Sequence, residues 1–191
     1  MDFLTYIFQL TPRGLRAALP LLLVWTCAHR AGAETLTESK VKSAFLYNFA
    51  KFVKWPAESL PTAATPFTFC TLGDNPLQGT LDEVLQGKTI DDRSLLSRHL
   101  QRASDAKGCQ VLFLSEAASL TDGKSIANLR LPGLLIVSEA SEKKEVSKED
   151  AMITFVLESN RVRFVIDTKA AGRAGLIVSS KLLNLALAVE R

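Results

Sequence analysis

The sequence predicts one α/β domain: a three-layer sandwich whose mostly parallel sheet carries an antiparallel C-terminal hairpin and is flanked by helices. Three observations predict it. In the front half, short apolar runs alternate with segments of helical period, the pattern of parallel strands joined by crossover helices. Further on, two β-rich runs over 152–158 and 162–167 are separated only by Ser159-Asn160, a hairpin connection. No internal repeat or low-complexity linker divides the 191 residues.

Each element has its own local reason. Over 37–55 the apolar residues Val41, Ala44, Phe45, Phe49, Phe52 and Val53 recur at spacings of three and four, with Thr37 as N-cap and Pro56 as the stop. This predicts a helix with a broad aromatic face. Residues 56–66 form a loop, and 67–72 a strand ended by the turn Gly73-Asp74-Asn75-Pro76. A second helix is expected over 77–85, stopping near Gly87. Residues 95–100 suit a short strand, 104–107 a turn or one helical turn, and 110–114 a buried strand. The stretch 115–129 reads as helix, weakened by Gly123, and 134–137 as another buried strand. Residues 141–150 carry both signs of charge and read most simply as a solvated loop. After the hairpin, 168–174 and 180–189 are helical in sequence, broken by Gly175.

Much of the apolar excess sits at the front. Arg13 and Arg16 precede the apolar run 17–25, and Ala31-Gly32-Ala33 follows, the order of a cleavable secretory signal. The run falls short of the roughly 20 residues of a membrane span. A retained anchor and lipidation at Cys27 are the alternatives, although Trp25-Thr26 is a poor approach to a lipidated cysteine. Cleavage after Ala33 removes a signal over 1–33 and leaves a domain over 34–191. Three arginines and one aspartate go with the signal, so 20 Lys+Arg then face 19 Asp+Glu. A charge so near zero gives no reason to expect nucleic acid or anionic lipid as a partner. At 47% apolar and 23% charged, the composition also excludes a disordered tail, a collagen repeat and a multi-span membrane protein.

Catalytic vocabulary is thin. His99 is the only histidine beyond the signal, so a histidine metal site has no second ligand of its kind, and H-E-x-x-H is absent. Neither G-x-S-x-G, a Walker loop nor G-x-G-x-x-G occurs. Adjacent acids such as Asp82-Glu83 and Asp91-Asp92 do not face each other. The sequence predicts no enzyme, no metal and no cofactor.

Binding residues are easier to nominate. Gly73, Asp74 and Asn75 follow a strand and precede a helix, where ligands collect in open α/β sheets; the bland reading is a tight turn. Lys169 and Arg173, four apart, either hold an anion or lie on a solvated helix face. Tyr47, Lys51 and Trp55 lie beyond the core face of the first helix and read as a partner surface or as packing. Cys70 and Cys109 stand 39 positions apart in an exported chain, with no C-x-x-C motif. A structural disulfide, a redox-responsive one and two free thiols are all open; a bridge over that span contributes about 4 kcal/mol on the chain-entropy model.

Four blocks in order then carry a family likeness. The first is Val41-Lys42-Ser43-Ala44-Phe45-Leu46-Tyr47-Asn48-Phe49-Ala50-Lys51-Phe52-Val53-Lys54-Trp55-Pro56. Residues 69–76 and 109–115 follow, and then the tail from Asn160-Arg161-Val162-Arg163-Phe164 through Arg173-Ala174-Gly175-Leu176 to Ser179-Ser180-Lys181-Leu182-Leu183. Together they resemble the YfiR family of periplasmic proteins over essentially the whole exported chain. The resemblance implies a single-domain α/β sandwich that binds the periplasmic part of a membrane diguanylate cyclase and represses it, lowering cyclic-di-GMP and biofilm formation. An outer-membrane lipoprotein is implied as a sequestering partner, and a homodimer is compatible with the pattern. Cys70 and Cys109 match the family's disulfide cysteines, whereas the second cysteine pair of some relatives has no counterpart over 152–167. The alternative is a periplasmic small-ligand sensor without a cyclase partner.

Overall fold

Alternating side chains explain why the central strands are buried on both faces. In β2 (Phe67–Leu72) Phe67 and Phe69 join one core, while Cys70 and Leu72 join a second. In β5 (Val111–Leu114) Val111 and Phe113 face the first core, and Leu112 and Leu114 the second. Leu135 and Val137 of β6 (Leu135–Glu139) oppose Ile136 in the same way. This two-sided burial is what a sheet covered on both faces requires. The computed structural model describes residues 38–73, 77–115, 118, 129, 131–140 and 151–190. The expected signal over 1–33, most of the expected helix over 115–129 and the charged stretch 141–150 lie outside the described residues.

Helix α1 covers residues 38–52 and lays Leu46, Phe49 and Ala50 on the first face. Phe45 stacks on Phe49 at 5.9 Å, and Phe49 meets Phe164 edge-on at 4.9 Å and Phe155 at 5.6 Å. Each fully buried phenylalanine contributes about 1.5–3 kcal/mol of transfer free energy, so Phe49, Phe155 and Phe164 are major contributors to that core. The remaining elements are β1 (Val53–Lys54), α2 (Gln78–Leu85), β3 (Thr89–Ile90), β4 (Arg93–Leu100), β7 (Ile153–Glu158), β8 (Arg161–Asp167), α3 (Thr168–Arg173), β9 (Ile177–Val178), α4 (Ser180–Leu183) and β10 (Ala188–Glu190). Short 3₁₀ turns cover Ala57–Ser59 and Ala103–Ala106.

The main sheet has eight strands in the order β10-β8-β7-β6-β5-β2-β4-β3. From β7 to β4 all pairs are parallel; β8 runs against β7, β10 runs with β8, and β3 runs against β4. The predicted α/β class, the mostly parallel sheet and the C-terminal hairpin are all present. Ser159 and Asn160 have φ of 49° and 60°, the left-handed pair that a two-residue hairpin turn needs. Asp91 and Asp92, at 48° and 60°, turn β3 into β4 in the same way, which is why the expected strand over 95–100 begins earlier, at Arg93.

Two expected helices end early. The helix over 37–55 stops at residue 52, because Val53 and Lys54 pair antiparallel with Val178 and Ile177, and Ser179 N–H donates to Phe52 O at 2.9 Å. The helix over 180–189 keeps only Ser180–Leu183. Leu187 N–H instead donates to Phe164 O at 2.8 Å, and residues 188–190 become the sheet edge beside β8. In both places a neighbouring strand offered backbone partners that outweighed helical periodicity.

Candidate functional site

The second core is built around a covalent bond. Cys70, in the middle of β2, and Cys109, just before β5, form a disulfide with Cα atoms 5.9 Å apart, both buried. Leu72, Leu100, Ala103, Ala106, Leu112 and Leu134 pack around them, small and aliphatic throughout. Next to the bridge, Gln110 is 2% exposed, and both ends of its amide are used. Its oxygen accepts from Thr68 N–H at 2.7 Å, and its NH₂ donates to Ser59 O at 3.0 Å. The disulfide region is thereby tied to the Ala57–Ser59 turn.

The same loop is held from a second side. The Arg93 guanidinium donates to the carbonyls of Thr65 at 3.0 Å, Leu60 at 3.4 Å and Thr62. Gly133 closes the third side: at φ +70° it sits so tightly that an added Cβ would fall 2.4 Å from Ser59 Cβ. Sequence reasoning missed Gln110 and Arg93. A lone glutamine opening the apolar run Val111-Leu112-Phe113-Leu114 was the available signal, since a buried amide there must find partners.

Of the three nominated partner residues, two come together. Lys51 lies over the Tyr47 ring at 5.5 Å, and Lys88 joins it from the turn before β3 at 5.0 Å. Trp55 turns inward instead. Its indole N–H donates to Ala50 O at 3.2 Å and its ring meets Phe67 edge-on at 5.0 Å, which fixes the exit from α1. Lys42, on the same helix, reaches Glu139 at the end of β6 at 2.7 Å and is also paired with Glu38. Burial pulls the Lys42 pKa down, but the hydrogen bonds and charges of Glu139 and Glu38 outweigh burial and hold it above the ordinary lysine value.

The nominated ligand residues separate. Gly73 ends β2 at φ +89°, and an added Cβ would fall 2.5 Å from Ser115 Oγ. From β2 the chain passes to β4 on one side and to β5 on the other, so Gly73 and Ser115 meet at the topological switch point of the parallel strands. Asp74 and Asn75 lie outside the described residues. Lys169 and Arg173 are exposed on α3, which follows β8. Because β8 runs against β7, and so against β2, and lies four strand intervals from β2, α3 stands at the other end of the sheet, about 19 Å across it. The exposed His99 bonds through Nδ1 to Oγ1 of the buried Thr71 at 3.1 Å, its register partner on the adjacent strand.

Large exposed apolar side chains concentrate in the C-terminal elements: Leu157, Ile177, Leu185 and Leu187. Among the described residues no His, Cys, Asp and Glu group is placed to hold a metal, and no helix is long and apolar enough to cross a membrane. Residues 39–187 match the family described as YfiR/HmsC-like. No curated protein matches the chain.

Proposed function

Because the chain belongs to the YfiR/HmsC-like family, we propose that it is exported to the periplasm and represses an inner-membrane diguanylate cyclase by binding the cyclase's periplasmic part. The YfiR-like family description suggests a periplasmic regulator of cyclic-di-GMP signalling and not an enzyme. The observation that carries the proposal is the match over residues 39–187, which runs through nearly all of the described fold. The Cys70–Cys109 disulfide supports it, since such bonds persist in oxidising compartments.

Repression needs differential affinity. A protein that bound active and inactive cyclase equally would shift nothing, so its surface must fit the inactive state better. Two regions are offered for that contact: the exposed apolar residues Leu157, Ile177, Leu185 and Leu187, and the Tyr47–Lys51 face of α1. An outer-membrane lipoprotein that covered either region would relieve repression. Deleting the gene should raise cellular cyclic-di-GMP several-fold, re-expression should restore it, and prior removal of the cyclase should abolish the rise. Unchanged cyclic-di-GMP after deletion would sink the proposal.

The position of Gly73 at the switch point favours a second reading, a small-ligand sensor whose candidate residues are Gly73 and its sequence neighbours Asp74 and Asn75, with Lys169 and Arg173 as a separate anion site. A thermal-shift screen with nucleotides and amino acids should then find a stabilising compound; a flat screen counts against it.

A further inference from the structure

Two lysines from different elements converge on one tyrosine ring. Lys51 lies one helical turn along α1 from Tyr47, and Lys88 comes from the turn between α2 and β3; their ammonium groups stand 5.5 and 5.0 Å from the ring centroid. The ring itself is positioned, because the Tyr47 hydroxyl donates to Thr89 O at 3.3 Å. Lys88 also donates to Val84 O. Among the described residues neither lysine has a carboxylate within ion-pair distance, whereas Lys40 and Lys42 on the same helix are both paired, with Glu83 and with Glu38 and Glu139. Contact with an exposed ring contributes only about 0.5–1 kcal/mol per cation, which leaves both ammoniums able to take a carboxylate.

We propose that Tyr47, Lys51 and Lys88 dock an acidic peptide segment of the protein partner, its carboxylates pairing with the two ammoniums and a neighbouring side chain resting on the ring. This rests on the partner-binding reading above and names the chemistry that the partner must present. A lipid surface fits less well. The exported chain is close to neutral, and Asp91 and Asp92 form the turn just past Thr89, so the surroundings are not the broad basic face that an anionic bilayer selects. A local pair of cations beside one aromatic ring suits carboxylates spaced along a peptide.

The test uses the full chain and a fluorescent peptide of alternating glutamate and leucine, its glutamine counterpart, and phosphatidylglycerol vesicles. The glutamate peptide should bind in a salt-sensitive way and weaken about tenfold with Lys51→Gln and Lys88→Gln together. Lys40→Gln, which removes another exposed charge from the same helix, should leave binding unchanged. Equal binding of the glutamine peptide, equal loss with Lys40→Gln, or capture of vesicles but not peptide would overturn the proposal. No cyclase is present in this assay, so its failure leaves repression in cells standing. Loss of repression in cells with peptide binding intact would remove the cyclase reading alone.

Discussion

The two faces of the sheet solve the same problem with different materials. Against α1 the core is aromatic, with Phe45, Phe49, Phe113, Phe155 and Phe164 in mutual contact at 4.9–6.2 Å. The opposite face is lined by leucine, isoleucine and alanine around Cys70 and Cys109. Large rings supply contact area on one side. On the other side, a covalent link limits the unfolded chain. Oxidation state should therefore matter to one face and not to the other.

The sharpest way to break that contrast begins on the aromatic side. Phe49→Ala should cost about 3–5 kcal/mol in denaturant unfolding, since Phe49 is fully buried at the centre of the ring cluster. A loss below about 1 kcal/mol would mean that the aromatic face is not the principal core. Replacing Cys70 and Cys109 by serine should cost about 2–4 kcal/mol. Adding Leu112→Ala to that pair should be non-additive, because Leu112 is the register partner of Cys70, whereas Phe49→Ala should add independently. Additivity in both cases would show that the bond does not serve one face in particular.

The smallest effect concerns the latch between α1 and β6. Lys42→Met should cost on the order of 1 kcal/mol near neutral pH. The folded-state pKa of Lys42 is raised, so its contribution is fully present below the ordinary lysine value and is lost as pH rises through the raised one. Melting curves of wild type and Lys42→Met should therefore converge at strongly alkaline pH. A gap that widened there would reverse the sign and refute the latch.

What could be read from sequence followed from strong local signals. The apolar runs 67–72 and 110–114, alternating with helical segments, and the Ser159-Asn160 connection led to the parallel sheet and its hairpin with nearly correct limits. Val53, Lys54, Ala188 and Val189 were misassigned because their conformation depends on strands distant in sequence, Ile177–Val178 and β8. The candidate surface divided similarly. The helical spacing of Tyr47 and Lys51 was visible, but Lys88 reaches their ring only through the tertiary placement of the turn before β3. Trp55 looked available because an indole in a sequence does not disclose that it folds back on Ala50 and Phe67.

The reversal of direction at Ser159-Asn160 has a practical consequence for traffic on the molecule. It sends α3, with Lys169 and Arg173, to the end of the sheet opposite Gly73. Anything held at one end leaves the other approachable, so occupancy at the two ends is not mutually exclusive. A contact tested beside Gly73 would therefore leave Lys169 and Arg173 uncovered, and the two candidate sites can be probed independently in one molecule.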